Sequence, residues 1–203
     1  MSDDKDDRRA IAAWRRTERA RLLAARIALP AAEHRAASLK IEIRLEALFA
    51  TLPARHVGFY WPFRREFDPL PLMRRLIAEG REAALPVVMD KSGPLEFRAW
   101  HAGSKMELGV YDIPHPAEGA AVAPDTLLVP LVGYDRAGYR LGNGGGYYDR
   151  TLGALPKKPL CIGIGFALGR IDSIRPLPHD VPMDFIVTEE TAARRAGDRL
   201  EVL

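Results

Sequence analysis

This sequence has little cysteine, no long apolar runs and no strong excess of charge of either sign. Its single cysteine, Cys161, cannot form a disulfide within the chain, which favours a reducing compartment. Because Cys161 lies inside the apolar run PLCIGIGFA, we expect a small buried hydrophobe rather than a nucleophile. The longest apolar runs, such as TLLVPLV, are too short to cross a bilayer, so no membrane association is expected.

The charge of the chain is mildly basic. A net charge of +3 and a pI near 9.1 suit an anionic ligand but are too weak to indicate nucleic acid. The first ten residues, MSDDKDDRRA, are acidic and contain no apolar signal segment. We therefore expect a cytoplasmic protein in which residues 1–7 are disordered.

The alternation of apolar segments predicts one α/β domain over residues 1–203. Helices are expected over residues 8–28 and 31–52, and in LPLMRRLIAEG and GGGYYDRTLGAL. Short runs rich in β-forming residues precede, separate and follow the last two of these helices: HVGFYWPF, AALPVVM, LEFRAW, TLLVPLVGY, CIGIGFA and DFIVTEE. Such a pattern is typical of a sheet covered on both faces. We expect a Rossmann-like three-layer α/β/α sandwich with a mostly parallel, mixed sheet and an antiparallel hairpin around KSGPLEFRAW.

A glycine-rich loop, RLGNGGGYYDR, follows the apolar run TLLVPLVGYD. Glycines between a strand and a helix N-terminus let backbone N–H groups approach an anion, so this loop predicts a phosphate site. It is not a Walker A loop, because no Gly-Lys-Ser/Thr follows, and Tyr147 occupies the last glycine position of the dinucleotide fingerprint. A plain flexible turn is the alternative.

These residues resemble the hallmark motif of the 5-formyltetrahydrofolate cyclo-ligase family, also called 5,10-methenyltetrahydrofolate synthetases. The resemblance continues in FYWPFRREFD, LPVVMDKSGPLEFRAW, MELGVYDIPHP and LPHDVPMDFIVTEE, and covers roughly residues 57–190. It implies a three-layer α/β/α fold and an enzyme that uses ATP and Mg²⁺. The implied reaction converts 5-formyltetrahydrofolate to 5,10-methenyltetrahydrofolate and releases ADP and phosphate.

The resemblance also implies site residues. Arg140 and Asp149 would take part in catalysis, and Asp149 and Asp180 would bind Mg²⁺, whose preferred ligands are hard oxygens. Otherwise Asp149 is a helix N-terminal acid and Asp180 a capping carboxylate. At Asn143 relatives often carry a larger or basic residue, so one ligand contact is expected to be weaker. The ATP-binding positions are Arg15, Arg140, Leu141, Gly142, Asn143, Gly144, Gly145, Gly146, Tyr147 and Tyr148.

Two further positions match folate contacts of the family. The Glu66 carboxylate can accept N–H donors of a reduced pterin, and Trp61 offers an apolar face for stacking. The alternatives are a solvated loop glutamate and a core tryptophan. Asp68 is the less favoured carboxylate for this role, because the spacing matches Glu66.

The first helix departs from the family pattern Lys-x-x-Leu-Arg. Aligning Trp14-Arg15 with Leu-Arg places Ile11 where the lysine belongs. Arg8 lies on nearly the same helical face and could compensate, while Arg15 remains the best phosphate candidate. A solvated arginine face is the alternative for both.

Three functions follow from these observations. An active cyclo-ligase, as a monomer or weak homodimer acting on small molecules, is the expected one. A divergent paralogue that binds nucleotide or reduced folate without efficient catalysis is supported by Ile11 and Asn143. A small-RNA binder is suggested by the arginine-rich first helix, which lacks interleaved aromatic residues.

Overall fold

The computed structural model describes residues 2–203, with side chains described from Lys5 onward. Its α-helices are α1 (Ser2–Ala28), α2 (Ala31–Phe49), α3 (Leu70–Ala78) and α4 (Tyr147–Ala154). The start expected for α1 at Arg8 was wrong, because the helix covers most of the segment expected to be disordered. Acidic residues in its first turns, such as Asp6 and Asp7, favour a helix N-terminus through the helix dipole. Met1 lies outside the described residues.

The strands of the described chain form one large sheet and two small hairpins. In the large sheet the order is β12-β11-β10-β9-β6-β1-β2-β3, while β4 pairs with β5 and β7 with β8. The bounds are β1 (His56–Gly58), β2 (Glu82–Val87), β3 (Glu96–Trp100), β4 (Met106–Leu108), β5 (Pro114–Pro116), β6 (Thr126–Pro130), β7 (Gly133–Tyr134), β8 (Arg140–Leu141), β9 (Leu160–Ile164), β10 (Phe185–Val187), β11 (Ala192–Ala196) and β12 (Arg199–Val202).

The centre of the large sheet is parallel and its two edges are antiparallel. Strands β10, β9, β6, β1 and β2 run in the same direction, whereas β3 at one edge and the β11–β12 hairpin at the other reverse it. The mixed α/β sheet is therefore confirmed, as is the antiparallel β2–β3 pair.

Apolar strand residues alternate between two cores, one on each face of the sheet. In β6, Leu127 and Val129 belong to one core and Leu128 to the other. Helices α2 and α3 cover the core of Leu128, and α4 covers the opposite core with Leu152. The buried Cys161 lies in this second core, where burial raises the pKa of its thiol to about 12, as expected for a small hydrophobe.

The carboxyl ends of the parallel strands position the candidate site. The segment after β1 carries Trp61 and Glu66, and the segment after β6 leads through the β7–β8 hairpin into the glycine loop. The chain after β9 carries Asp180 before it enters β10. In sheets of this kind, ligands bind beyond the carboxyl ends of the strands. No helix in residues 2–203 is long and apolar enough to span a membrane.

Candidate active site

A cavity of about 870 Å³ opens at this edge of the sheet. Its volume is near the upper end of the range of about 300–1,000 Å³ that is usual for ligand pockets. Every residue that the sequence analysis placed in the ATP, folate or metal site lines this cavity: Arg15, Trp61, Glu66, Arg140, Leu141, Gly142, Asn143, Gly144, Gly145, Gly146, Tyr147, Tyr148, Asp149 and Asp180. The structure thus brings these residues together, while their individual roles stay predictions.

Two glycines of the loop adopt left-handed backbone conformations. Gly144 has φ 99°, and Gly146, directly before α4, has φ 67°. Side chains rarely tolerate these angles. A Cβ atom on Gly144 would also lie 3.3 Å from the guanidinium carbon of Arg19. The conformation of this loop, which leads into the N-terminus of α4, therefore requires glycine at these two positions.

Arg19 is the site residue that the sequence analysis missed. Its Nε donates to the Gly142 carbonyl at 2.7 Å, and its side chain lines the cavity beside the loop. Burial, and then repulsion from Arg15 and Arg16, lower the pKa of Arg19. Arg15 and Arg19 are four residues apart and share one face of α1, so helical periodicity was the signal that could have found it.

Arg15 holds the segment that precedes Asp180. Its guanidinium donates to both carboxylate oxygens of Asp180, at 3.1 and 2.6 Å. It also donates to the carbonyls of Ile174 and Arg175, at 2.9 and 2.7 Å. The guanidinium of Arg175 lies 4.4 Å from the ring centre of Trp14, a second contact between α1 and this segment. Arg15 therefore anchors the segment, and its contact with phosphate stays a prediction.

Asp180 is held in its ionised form. Burial pushes the pKa of Asp180 upward, but the hydrogen bonds from Arg15 and from the Leu177 N–H outweigh this effect and hold that pKa below its ordinary value. Both side chains of the Arg15–Asp180 ion pair are largely buried, with 12% and 8% exposed.

Replacing Asp180 with asparagine is expected to lower the free energy of unfolding at pH 7 by about 1–3 kcal/mol, because Arg15 loses a charged acceptor. The folded-state pKa of Asp180 is depressed, so its contribution is present above the unfolded-state pKa of about 3.9 and is lost as the pH falls through the folded-state value. In urea unfolding, the difference from wild type should shrink below about pH 4. An equal difference at acid and neutral pH would contradict the ion pair as its source.

Asp149 and Arg140 form a second ion pair at the start of α4. Arg140 donates from Nη1 to Asp149 Oδ1 at 3.1 Å and to the Val181 carbonyl at 3.1 Å. The Val181 N–H donates to the same Asp149 oxygen, also at 3.1 Å. Arg140 is only 7% exposed, whereas 22% of the Asp149 side chain is exposed. These bonds tie the glycine loop, α4 and the Asp180 segment to one another.

The carboxylate oxygens of the two aspartates have the ligand chemistry that Mg²⁺ prefers. Within residues 2–203, hydrogen bonds reach Oδ1 of Asp149 and leave Oδ2 for another ligand. Oδ2 of Asp180 accepts from both Arg15 and the Leu177 N–H, whereas Oδ1 accepts only from Arg15 among the described residues and keeps a lone pair for another ligand. The described residues contain no group of three or more His, Cys, Asp or Glu that could hold a metal. Phosphate oxygens and waters would complete the coordination, as is usual for Mg²⁺.

Glu66 is a buried carboxylate that lines the cavity, 6% exposed. Its Oε2 accepts the Phe63 N–H at 3.0 Å, and its Oε1 accepts the side-chain amide of Asn143 at 3.0 Å. Arg26 Nη2 lies 3.8 Å from the same Oε1. Burial raises the pKa of Glu66, against the opposing influence of Asn143, Arg26 and the Phe63 N–H. A solvated loop glutamate is thus not what the structure shows.

Aromatic side chains complete the wall beside Glu66. Trp61 is half-buried, packs against the core and lines the cavity. The hydroxyl of Tyr148 is buried without a hydrogen-bond partner among the described residues, and burial raises its pKa. Asp68, the less favoured carboxylate, instead accepts the Leu70 N–H at 2.9 Å at the start of α3.

Comparison with known proteins supports the resemblance. A family model described as the 5-formyltetrahydrofolate cyclo-ligase family matches residues 11–189. The chain is 34% identical to the 5-formyltetrahydrofolate cyclo-ligase of Mycolicibacterium smegmatis over 146 residues, which cover 68% of this chain and 75% of that protein. It is 32% identical to the protein of the same name from Escherichia coli (strain K12) over 142 residues, or 66% of this chain and 78% of that protein.

Solved structures agree. The NMR structure of the Aquifex aeolicus 5,10-methenyltetrahydrofolate synthetase has a TM-score of 0.78 and 31% identity, over 92% of this chain and 96% of that one. The Mycoplasma pneumoniae 5,10-methenyltetrahydrofolate synthetase has a TM-score of 0.72 and 26% identity, over 86% of this chain and 98% of that one. Since the family model spans most of the sequence, this chain belongs to the 5-formyltetrahydrofolate cyclo-ligase family.

Proposed function

We propose that this chain converts 5-formyltetrahydrofolate to 5,10-methenyltetrahydrofolate in an ATP- and Mg²⁺-dependent reaction that releases ADP and phosphate. The observation that carries the proposal is the single cavity that contains the glycine loop, both aspartates and Glu66. One cavity of about 870 Å³ has room for parts of two substrates in contact with each other.

The nucleotide side of the cavity consists of the loop and two arginines. Backbone N–H groups of Gly144 to Gly146 and the N-terminus of α4 would bind phosphate oxygens, while Arg19 adds positive charge beside them. Asp149 and Asp180 would hold Mg²⁺, which supplies charge neutralisation for the transferring phosphoryl group. Arg140, fixed by Asp149 and Val181, adds a cation at the base of the loop.

The folate side of the cavity orients the reacting formyl group. Glu66 would accept pterin N–H donors and Trp61 would pack on the ring. The formyl oxygen would attack the γ-phosphorus as the bond to ADP breaks. N10 would then attack the formyl carbon, and phosphate would leave with the formyl oxygen and take up the proton released from N10. No covalent enzyme intermediate is required, so positioning and charge stabilisation are the work of the protein.

Arg19→Ala is expected to raise the KM for ATP by about 10- to 100-fold, because a charge-assisted contact at the phosphates is lost. The KM for the folate should rise less than the KM for ATP. Arg16→Ala is the matched control: it removes the same charge from the neighbouring, exposed position of α1 outside the cavity. Steady-state kinetics with both substrates varied would measure this, and equal effects of the two variants would exclude a specific role for Arg19.

The direct test of the function is spectrophotometric. Purified chain is mixed with 5-formyltetrahydrofolate, ATP and Mg²⁺, and the absorbance of methenyltetrahydrofolate is followed. Product that appears only with ATP establishes the cyclo-ligase. Absence of product together with intact ligand binding by calorimetry would instead establish the non-catalytic paralogue.

Two features of α1 bear on the alternative functions. Arg19 contacts the glycine loop, so a basic side chain stands at the phosphate region although Ile11 replaces the family's lysine. Arg15, Arg19 and Arg26 all make contacts within the chain, which reduces the basic surface that a small-RNA binder would need. A cytoplasmic location, which the single buried cysteine supports, and a monomer or weak homodimer complete the proposal.

A further inference from the structure

One hydrogen bond joins the nucleotide side of the cavity to the folate side. The side-chain amide of Asn143, in the middle of the glycine loop, donates to Glu66 Oε1 at 3.0 Å. The two residues are 77 positions apart in the sequence. On the loop side, the neighbouring Gly142 carbonyl is held by Arg19. The position of the loop thus determines whether Glu66 has this donor.

A competing donor lies near the same oxygen. Arg26 Nη2 is buried without a hydrogen-bond partner in the described part of the chain, 3.8 Å from Glu66 Oε1. The other guanidinium nitrogens are fixed, because Nε donates to the Arg64 carbonyl at 3.1 Å and Nη1 to the Leu131 carbonyl at 3.3 Å. Arg26 does not line the cavity. A small rotation of the carboxylate would therefore shorten this ion pair to a hydrogen bond and turn Oε1 toward Arg26, which lies outside the cavity lining.

We propose that Asn143 is a positioning residue for the folate: it holds the Glu66 carboxylate toward the cavity and away from Arg26, and so makes folate affinity depend on the nucleotide loop. The inference rests on the proposed function and assigns the Asn143 side chain to the folate side of the site. ATP bound against the loop would hold the amide donor in this position, and by reciprocity folate bound against Glu66 would favour the same loop conformation.

The charges around Glu66 agree with this arrangement. Asn143 is the strongest of the influences that lower the pKa of Glu66 against the effect of burial. The titratable and charged groups that face this carboxylate come from α1, from its own loop and from α4, and they are Arg26, Arg64, Tyr60 and Tyr148. Asn143 and Arg26 therefore act on the same carboxylate, and loss of the Asn143 donor leaves Arg26 as the cationic partner of Glu66.

The test compares wild type with Asn143→Leu, which has a similar volume but no donor. Calorimetry measures the Kd of 5-formyltetrahydrofolate with and without a non-hydrolysable ATP analogue and Mg²⁺. In wild type we expect the analogue to lower the folate Kd by about tenfold. In Asn143→Leu the folate Kd should rise about tenfold and no longer respond to the analogue, while the Kd of the analogue alone changes little. Asn143 is exposed, so the variant is expected to fold.

Two further variants separate positioning from a general loop defect. Asn143→Gln keeps an amide donor and should recover part of the folate affinity and of the coupling. In a Glu66→Ala background, Asn143→Leu should have little further effect on folate binding, because the two residues act through one contact. A crystal structure of Asn143→Leu should show Glu66 bonded to Arg26.

The outcomes are distinguishable. Wild-type folate affinity and coupling in Asn143→Leu, or an equal loss of folate and nucleotide affinity, would overturn the role of Asn143. Failure of the wild-type chain to bind 5-formyltetrahydrofolate at all would instead overturn the proposed function.

Discussion

Asp149→Asn is expected to lower kcat by about 10²- to 10³-fold, the usual size of the loss when one charge-stabilising group is removed from an active site. The substitution is specific because it replaces only one of the two carboxylate oxygens. Asparagine keeps Oδ1, which accepts from Arg140 and from the Val181 N–H, and replaces Oδ2 with an amide that cannot bind a metal. The fold should therefore survive while the metal ligand is lost.

Titration of the rate with Mg²⁺ is the measurement. The variant should need more Mg²⁺ for half-maximal rate and should stay below the wild-type maximum at saturation. Asp172→Asn is the matched control, since Asp172 is exposed and lies outside the cavity. A variant with wild-type rate and wild-type Mg²⁺ dependence would remove Asp149 from the proposed metal site.

Glu66→Gln is expected to raise the KM for 5-formyltetrahydrofolate by about 100-fold and to leave the KM for ATP nearly unchanged. A site built to accept N–H donors with a buried carboxylate loses charge-assisted hydrogen bonds when that carboxylate becomes a neutral amide. Glutamine is preferred to alanine, because its amide oxygen keeps an acceptor beside the buried guanidinium of Arg26, whereas alanine would remove the partner altogether, a change that commonly costs about 3–5 kcal/mol.

The pH profile and a neighbouring carboxylate provide the controls. Because burial raises the pKa of Glu66, its ionised form is lost at a higher pH than for an ordinary glutamate, so wild-type folate affinity should fall as the pH drops through that range. The folate affinity of Glu66→Gln should not show this decrease at low pH. Asp68→Asn, which alters an exposed carboxylate at the start of α3, should bind folate like wild type. Equal loss of folate and ATP affinity in Glu66→Gln would indicate a structural role.

The sequence was informative about the fold wherever burial imposes a continuous apolar pattern. The central strands β1, β2, β6, β9 and β10 all overlap runs that were predicted as strands, and β2 and β9 begin one residue earlier than predicted. The β11–β12 hairpin was not predicted, because its residues, AARRAGDRLEV, are polar and largely exposed at a sheet edge. The run HVGFYWPF was also wrong as one long strand. β1 ends at Gly58, and the chain soon turns through Arg64 and Arg65, both in left-handed conformations.

The site residues could be predicted where a motif is local. The prediction failed where a role depends on contacts between distant segments. The glycine loop and Asp149 form one stretch of sequence. Arg19 was missed because Arg15, one turn earlier on α1, satisfied the same motif, and only the structure shows which of them contacts the loop. The sequence analysis treated Asn143 as a weakened ligand contact, since nothing in a linear pattern connects it to Glu66.

Three arginines of α1 contact three parts of the site: the Asp180 segment through Arg15, the glycine loop through Arg19, and the Glu66 region through Arg26. A helix rises about 1.5 Å per residue, so these arginines mark off a length of about 16 Å along a rigid rod. The length of α1 therefore sets the spacing between the proposed nucleotide and folate regions. Insertion or deletion of one residue between Arg19 and Arg26 would rotate the two parts of α1 by about 100° relative to each other. Arg15 and Arg19 could then no longer contact the site together with Arg26.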